Sequence, residues 1–485
     1  MTTSTDTSFF GHPRGLATLF FTEMWERFSY YGMRSLLILF MVAPLSRGGL
    51  GFDDPTAGVV YGLYTAMAYL AALPGGWLAD RILGGRKAVM IGGILIAAGN
   101  FVLCIPNFAA FYSGLVLVVF GTGLLKANVS AIVGQLYGQG DPRRDSGFSI
   151  FYMGINLGAF IAPLLCGWAA TQYGWRTGFM LAAVCMSLGV VQFLFGTSKL
   201  GDAGKLPATP NDTAAPRQFA IGAGILLAIL VAVAAAANLG LVTPKQIGDA
   251  SGGALLIVVA GFFSWLLFGA HWEPAERKRL IVVFFLFLSA CVFWSVFEQA
   301  GSSLNLFAER ATDNNLAGFE IPAPWYQSVQ PMFIILLAPV FAGLWLRLGP
   351  RDLPAPVKFS LALVLVGAGF LLLGFGATFA AGGARVSPMW LVATYFLHTC
   401  GELCLSPVGL SAMTKLAPAR VGGLMMGVYF LSISIGNYLG GRAAGFYQTL
   451  PLPYLFGAVG LVAVIAGLVL ASFTRPMVRL MGGVR

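Results

Sequence analysis
Fourteen stretches of about twenty apolar residues, separated by short charged or Pro/Gly-rich turns, dominate this chain of 485 residues. They run over about 15–43, 56–79, 87–105, 108–136, 147–170, 176–196, 218–241, 250–271, 280–307, 325–348, 357–380, 388–415, 420–447 and 453–474. A helix of that length crosses the hydrocarbon core of a bilayer, about 30 Å thick. Lipid offers no partner to backbone N–H and C=O groups, so a spanning segment must satisfy its own. Only 10% of the residues are charged, against about 25% in a soluble domain. A cytosolic enzyme, a disulfide scaffold and a disordered chain are thereby excluded. The net charge of +10 is not gathered on any soluble domain, so a nucleic-acid binder is excluded as well. The expected fold class is an all-α polytopic membrane protein. Its 63 glycines fit that class, because small residues let helices approach closely in lipid.

A polar linker over 197–217 follows the sixth stretch, and the next two stretches are almost free of polar groups. The expected organisation is an N-terminal part over 1–197, a linker with an extra helix pair over 198–279, and a C-terminal part over 280–485. With the N-terminus in the cytoplasm, 20 of the 29 Lys and Arg residues fall in inner segments or at the inner ends of spans, 6 in outer segments or at outer ends, and 3 deep within spans. That asymmetry predicts both termini inside and explains the net charge as topology and contact with anionic lipid. Residues 1–14 lack a basic n-region and a small-residue cleavage site. The first apolar stretch carries Glu23, Glu26, Arg27 and Arg34, a poor signal core, so it is expected to be retained as a helix. The six cysteines sit in apolar stretches. Cys400 and Cys404 lie one turn apart near His398, which allows a metal reading, but packed small residues are the expectation. No metal and no cofactor are expected.

Chemistry concentrates in seven charges deep within spans: Glu23, Glu26, Arg27, Arg34, Lys126, Glu298 and Glu402. Each costs about 2.5–3.5 kcal/mol at a helix centre facing lipid, so together they call for a shared polar interior. Interhelical clamping is the simpler alternative. On the first helix Glu23, Glu26, Arg27, Tyr30, Tyr31 and Arg34 fall within about 140° of arc, a polar stripe of two phenols beside two guanidinium groups. Interfacial packing is the other reading of the tyrosines, and snorkelling is the other reading of Lys126. Glu402 precedes Pro407, whose freed carbonyl is tolerated beside a cavity. The buried bases lie in the first six-helix half and the isolated acids Glu298 and Glu402 in the second. A cavity basic on one wall and acidic on the other suits a small zwitterion.

These residues resemble a known family. The run Glu23-x-x-Glu26-Arg27-Phe28-Ser29-Tyr30-Tyr31-Gly32 resembles the first-helix signature of the proton-dependent oligopeptide transporters of the major facilitator superfamily. Phe151-Tyr152-Met153-Gly154-Ile155-Asn156-Leu157-Gly158 and Gly401-Glu402-Leu403-Cys404-Leu405-Ser406-Pro407 resemble two more of its motifs. Gly76-Trp77-Leu78-Ala79-Asp80-Arg81, followed by Gly84, Arg86 and Lys87, is similar to the superfamily's loop motif. The resemblance implies two six-helix bundles plus an inserted pair, and symport of di- and tripeptides with protons by alternating access. It implies a multi-pass protein of the bacterial inner membrane, and a monomer is expected. By motif, Arg27 and Lys126 would hold the peptide carboxyl end, and Asn156 and Glu402 the amino end. Tyr30, Tyr31, Tyr69 and Trp294 would line side-chain pockets, with Ser406 beside them. Glu23, Glu26 and Glu298 would carry protons. Pairs Arg34–Glu298 and Lys126–Glu402 would act as gates.

Two positions depart from the family pattern: Gln330 stands where many relatives have asparagine, and Tyr429 where many have tryptophan. Both bear on pocket size and peptide preference. The competing expectations are a carrier of the same fold for another small anion or a drug, and a membrane transferase or hydrolase using the glutamates as acid and base. No nucleophile elbow or metal set supports the last.

Overall fold
The computed structural model describes residues 7–138, 140–209, 212–269, 271–316, 318–418, 421 and 424–482. Arg420 and Arg485, counted above among the inner bases, lie outside the described residues. Contacts divide the chain into two compact units: one holds 1–50 and 67–246, the other 51–66 and 247–485.

Helices of the first unit are α1 (Arg14–Val42), α3 (Ala72–Leu78), α4 (Gly85–Leu103), α5 (Phe108–Gln135), α6 (Arg144–Tyr173), α7 (Trp175–Gly196) and α8 (Ala215–Asn238). Helix α2 (Asp54–Leu70) begins in the second unit and ends in the first. Local chemistry sets several boundaries. Asn107 accepts from Ala110 N at 2.7 Å and caps α5. Gly174, at φ 93°, makes the turn from α6 to α7, a conformation that costs a Cβ-bearing residue. Helix α1 packs between α6 and α7, and α4 against α5 and α7. The α4–α5 seam is built on glycine: a Cβ added at Gly121 would stand 2.6 Å from the Gly92 carbonyl oxygen. Leu16, Leu19, Val89, Leu125, Ile132 and Phe193 belong to one buried apolar cluster.

The second unit holds α9 (Pro244–Ser264) from Ile247 onward, α10 (Pro274–Phe297), α11 (Ser303–Arg310), α12 (Val329–Leu348), α13 (Ala355–Thr378), α14 (Met389–Leu416), α15 (Met425–Ala444), α16 (Leu452–Ser472) and α17 (Thr474–Leu480). A two-stranded hairpin, β1 (Asn315–Leu316) and β2 (Phe319–Glu320), pairs Asn315 with Glu320 and Leu316 with Phe319. Glu273 and Glu276 form a reciprocal capping box at the start of α10. Helix α13 packs on α14 and α16, and α10 on α15. The stretch expected over 280–307 is one helix interrupted: α10 stops at Phe297, a tight turn runs Glu298–Gly301, and α11 resumes at Ser303.

Among the described residues eleven helical stretches are long and apolar enough to cross a membrane. Helices α1 and α14 are as long, 29 and 28 residues, but carry the charges of interest. The apolar window of α8 buries none of its residues, as a lipid-facing helix would. The linker before it is seated on the turn after α3 and the start of α4. Arg86 N and Nε donate to Gly204 O (2.8 Å) and Ala203 O (2.7 Å), Thr209 N donates to Asp80 O (3.0 Å), and Arg81 pairs with Asp212. Within the second unit α9 rests its Gly248 against Val59 and Gly252 against Tyr438, and Asp249 pairs with Arg442 at 2.5 Å.

Candidate functional site
In the first unit the polar stripe of α1 faces inward among helices. Glu23, Glu26, Arg27, Tyr30 and Arg34 are buried and Tyr31 is half-buried. Arg27 Nε lies 3.2 Å from Glu23 Oε1 and also pairs with Glu26 Oε2. The i to i+4 spacing of Glu23 and Arg27 places them one turn apart on the same side of the helix. The packing that allows this is glycine at Gly158 of α6, where a Cβ would meet Met24 O at 2.4 Å. The guanidinium of Arg27 lies 5.2 Å from the ring centre of Tyr30, and that of Arg34 lies 5.8 Å from Tyr31. Lys126, half-buried on α5, sets its Nζ 3.5 Å from the ring centre of Tyr69, and it is near enough to Glu23 to act on it electrostatically. So α1, α2 and α5 bring Glu23, Glu26, Arg27, Tyr30, Tyr31, Arg34, Tyr69 and Lys126 into one neighbourhood.

The ion group around Arg27 is incompletely satisfied. Arg27 Nη2, Glu23 Oε2 and Glu26 Oε1 are buried without a hydrogen-bond partner among the described residues. An arginine between two carboxylates with a donor to spare can fork onto a third oxyanion. Asn156 lies buried on α6 and donates to Tyr152 O at 3.0 Å, so its amide is turned along its own helix.

In the second unit Glu298 sits, buried, at the break between α10 and α11. Broken helices at membrane depth are tolerated where they border protein or a polar cavity. Glu402 on α14 is 9% exposed and accepts a hydrogen bond from Gln330 Nε2 at 2.7 Å. Glu298 is close enough to Glu402 for the two to repel. Trp294, one turn before Glu298, is buried and stands edge-on to Phe297, ring centres 5.4 Å apart. Tyr429 is buried on α15 and hydrogen-bonded to Ser406, which is half-buried on α14. Trp294, Glu298, Gln330, Glu402, Ser406 and Tyr429 thus share one acidic, aromatic-rimmed neighbourhood of the second unit.

Some of the arrangement had no signal in the sequence. Glu402 is not an isolated acid, because Gln330 reaches it across 72 positions. The extra methylene of glutamine over asparagine was the available clue. Arg310, one of the six Lys and Arg residues counted in the outer segments, forks onto the buried Asp54 at 2.7 and 2.9 Å and lies 5.3 Å from the Tyr447 ring centre. Partners separated by 256 residues leave no local pattern. His398 is stacked on Phe370 at 5.4 Å and all six cysteines are free. Among the described residues no group of three or more His, Cys, Asp or Glu side chains could hold a metal ion.

Residues 86–454 match the family described as PTR2: POT family. The peptide transporter YePEPT of Yersinia enterocolitica subsp. palearctica serotype O:3 (strain YE-P4) is 43% identical over 505 residues, covering 99% of this chain and 98% of that protein. The di-/tripeptide transporter of Lactococcus lactis subsp. cremoris is 36% identical over 497 residues, covering 99% of each. Among solved structures, that of a peptide transporter POT in complex with sulfate superimposes with a TM-score of 0.94 at 43% identity, over 98% of this chain and 97% of that one. A POT family transporter in complex with 5-aminolevulinic acid gives a TM-score of 0.90 at 36% identity, over 97% and 98%.

Proposed function
The chain belongs to the POT family, multi-pass helical membrane carriers of the major facilitator type, and on that premise we propose that it imports di- and tripeptides together with protons by alternating access. The observation that carries the reading is Arg27: buried, held by Glu23 and Glu26, and with its Nη2 donor left over. Such a group suits a peptide carboxylate, with Lys126 as the second cation. Glu402, with Gln330 and Asn156, takes the ammonium end. Tyr30, Tyr31, Tyr69, Trp294, Ser406 and Tyr429 supply the walls of the side-chain pockets. The carrier lies in a bacterial inner membrane as a monomer with both termini in the cytoplasm.

In this scheme a proton arriving from outside neutralises Glu298 and releases Arg34, which frees the outer side to bind peptide. Glu23 and Glu26 relay protons around Arg27. Toward the cytoplasm, lower proton activity lets Glu298 ionise again; peptide leaves while Lys126 and Glu402 are apart, and the pair then re-forms to help close the cytoplasmic gate. Residues 1–197 and 280–485 are the two moving parts, joined by the inserted segment 198–279. One net positive charge per cycle draws about 2.3 kcal/mol from each 100 mV of membrane potential, enough for accumulation.

The test is uptake of labelled di-alanine into proteoliposomes with and without an inward acid gradient. Accumulation above equilibrium that a protonophore abolishes is the expected result. Gradient-driven uptake of nitrate or a drug, with none of di-alanine, would favour the same fold with a different cargo. In Glu298→Gln, gradient-driven uptake should vanish while peptide counterflow survives in part. Unaltered accumulation in that variant would remove Glu298 from the scheme.

A further inference from the structure
Gln330 is the second residue of α12, in its first turn, and its Nε2 donates to Glu402 Oε2 at 2.7 Å. Glu402 is nearly buried, and Glu298 adds negative potential to it. A carboxylate so placed is costly to leave without a donor. Here the protein itself supplies one, to one of the two oxygens. Side-chain length decides whether it can. An asparagine at 330 would hold its amide back by one carbon–carbon bond, about 1.5 Å, which puts the donor out of hydrogen-bond range of Glu402. With the shorter residue, the carboxylate would depend on the ammonium of the cargo.

We propose that Gln330 is a specificity-determining residue: by satisfying one oxygen of Glu402 it relaxes the demand for a charged amino end. Sites that hydrogen-bond their substrate reject analogues lacking the group because their own buried polar atoms are then stranded. Gln330 reduces that stranding. This chain therefore accepts short peptide-like acids whose amine is absent or blocked more readily than a carrier with a shorter residue at this point. The inference rests on the assignment of Glu402 to the amino end.

The experiment uses the full chain in proteoliposomes and competes labelled di-alanine uptake with unlabelled di-alanine or with propionyl-alanine, the same molecule without its amino group. The readout is the ratio of the two half-inhibitory concentrations. Gln330→Asn and Gln330→Leu should each raise that ratio about tenfold, the size of one hydrogen bond to a charged group. For a variant that reconstitutes but transports poorly, the same ratio is read from equilibrium binding in detergent. Glu402→Gln separates the two levels of the argument. If it brings the ratio toward one while both Gln330 variants stay within twofold of the parent, the role of Gln330 is overturned and the assignment of Glu402 stands. If it leaves the ratio unchanged, the assignment fails and the inference with it.

Discussion

At the scale of residues, the decisive feature is a cation with more donors than its neighbours use. Arg27 pairs with Glu23 and Glu26 and still presents Nη2. Removing it outright would strand two buried carboxylates, a loss that confuses stability with binding. Arg27→Lys keeps the charge but loses the planar fork. It should raise KM for di-alanine about tenfold, the value of one charge-assisted hydrogen bond, with a smaller change in kcat. Parent-like KM in a correctly folded Arg27→Lys protein would take the carboxylate away from this residue. The stripe on α1 was legible because helical spacing alone aligns its charges. The Lys126–Tyr69 contact was not, since it joins α5 to α2.

Elements are held by two different means. Inside the apolar layer there is little hydrophobic drive between helices, so contact area decides, and glycine supplies it. Gly436 of α15 is the clearest case in the second unit: an added Cβ would stand 2.4 Å from Trp294 Cβ. Gly436→Ala should therefore destabilise by about 1–3 kcal/mol, as overpacking does, and lower the unfolding midpoint in detergent. An unshifted midpoint would mean that α10 and α15 can part at no cost. At the surface, charge does the holding. Burial pushes the Asp212 carboxyl up, but its hydrogen bond from Arg81 and two backbone N–H donors outweigh this and leave it below the usual carboxylate range. The clamp is thus present above the unfolded value, about 3.9, and is lost as pH falls through the lower folded value. Asp212→Asn should increase hydrogen exchange in 198–215 at pH 7, and this difference should shrink below pH 4. Equal exchange at neutral pH would show that the linker is held without this pair. Composition marked 197–217 as polar, yet gave no sign that it would seat on Asp80 and Arg81, just after α3, and on Arg86 at the start of α4.

For the whole molecule, the asymmetry of Lys and Arg carries an orientation. In intact cells a cysteine at Arg385 should react with an impermeant maleimide, and one at Arg143 only after lysis, each measured above the parent's background. The reverse pattern would invert the topology. The extra pair of helices is treated differently by the fold at its two ends. The linker belongs to the first unit by its contacts with the turn after α3 and the start of α4, whereas α9 belongs to the second through Gly248, Asp249 and Gly252. Helix α2 is shared in the same way, with 51–66 in one unit and its remainder in the other. Neither division has a compositional boundary, because both follow from which helices lie alongside, not from the residues between them.

What the chain alone determined was class and inventory. Length and hydropathy demanded membrane helices, since backbone groups in lipid must bond internally. The expense of burying charge picked out Glu23, Glu26, Arg27, Arg34, Lys126, Glu298 and Glu402 as the groups worth attention. Only the tertiary structure decided partnership: Gln330 with Glu402, Arg310 with Asp54, Arg81 with Asp212, and the break of α10 at Glu298. Hydrogen bonds and ion pairs act over about 3 Å, and a distance that short between residues tens or hundreds of positions apart exists only once helices have packed.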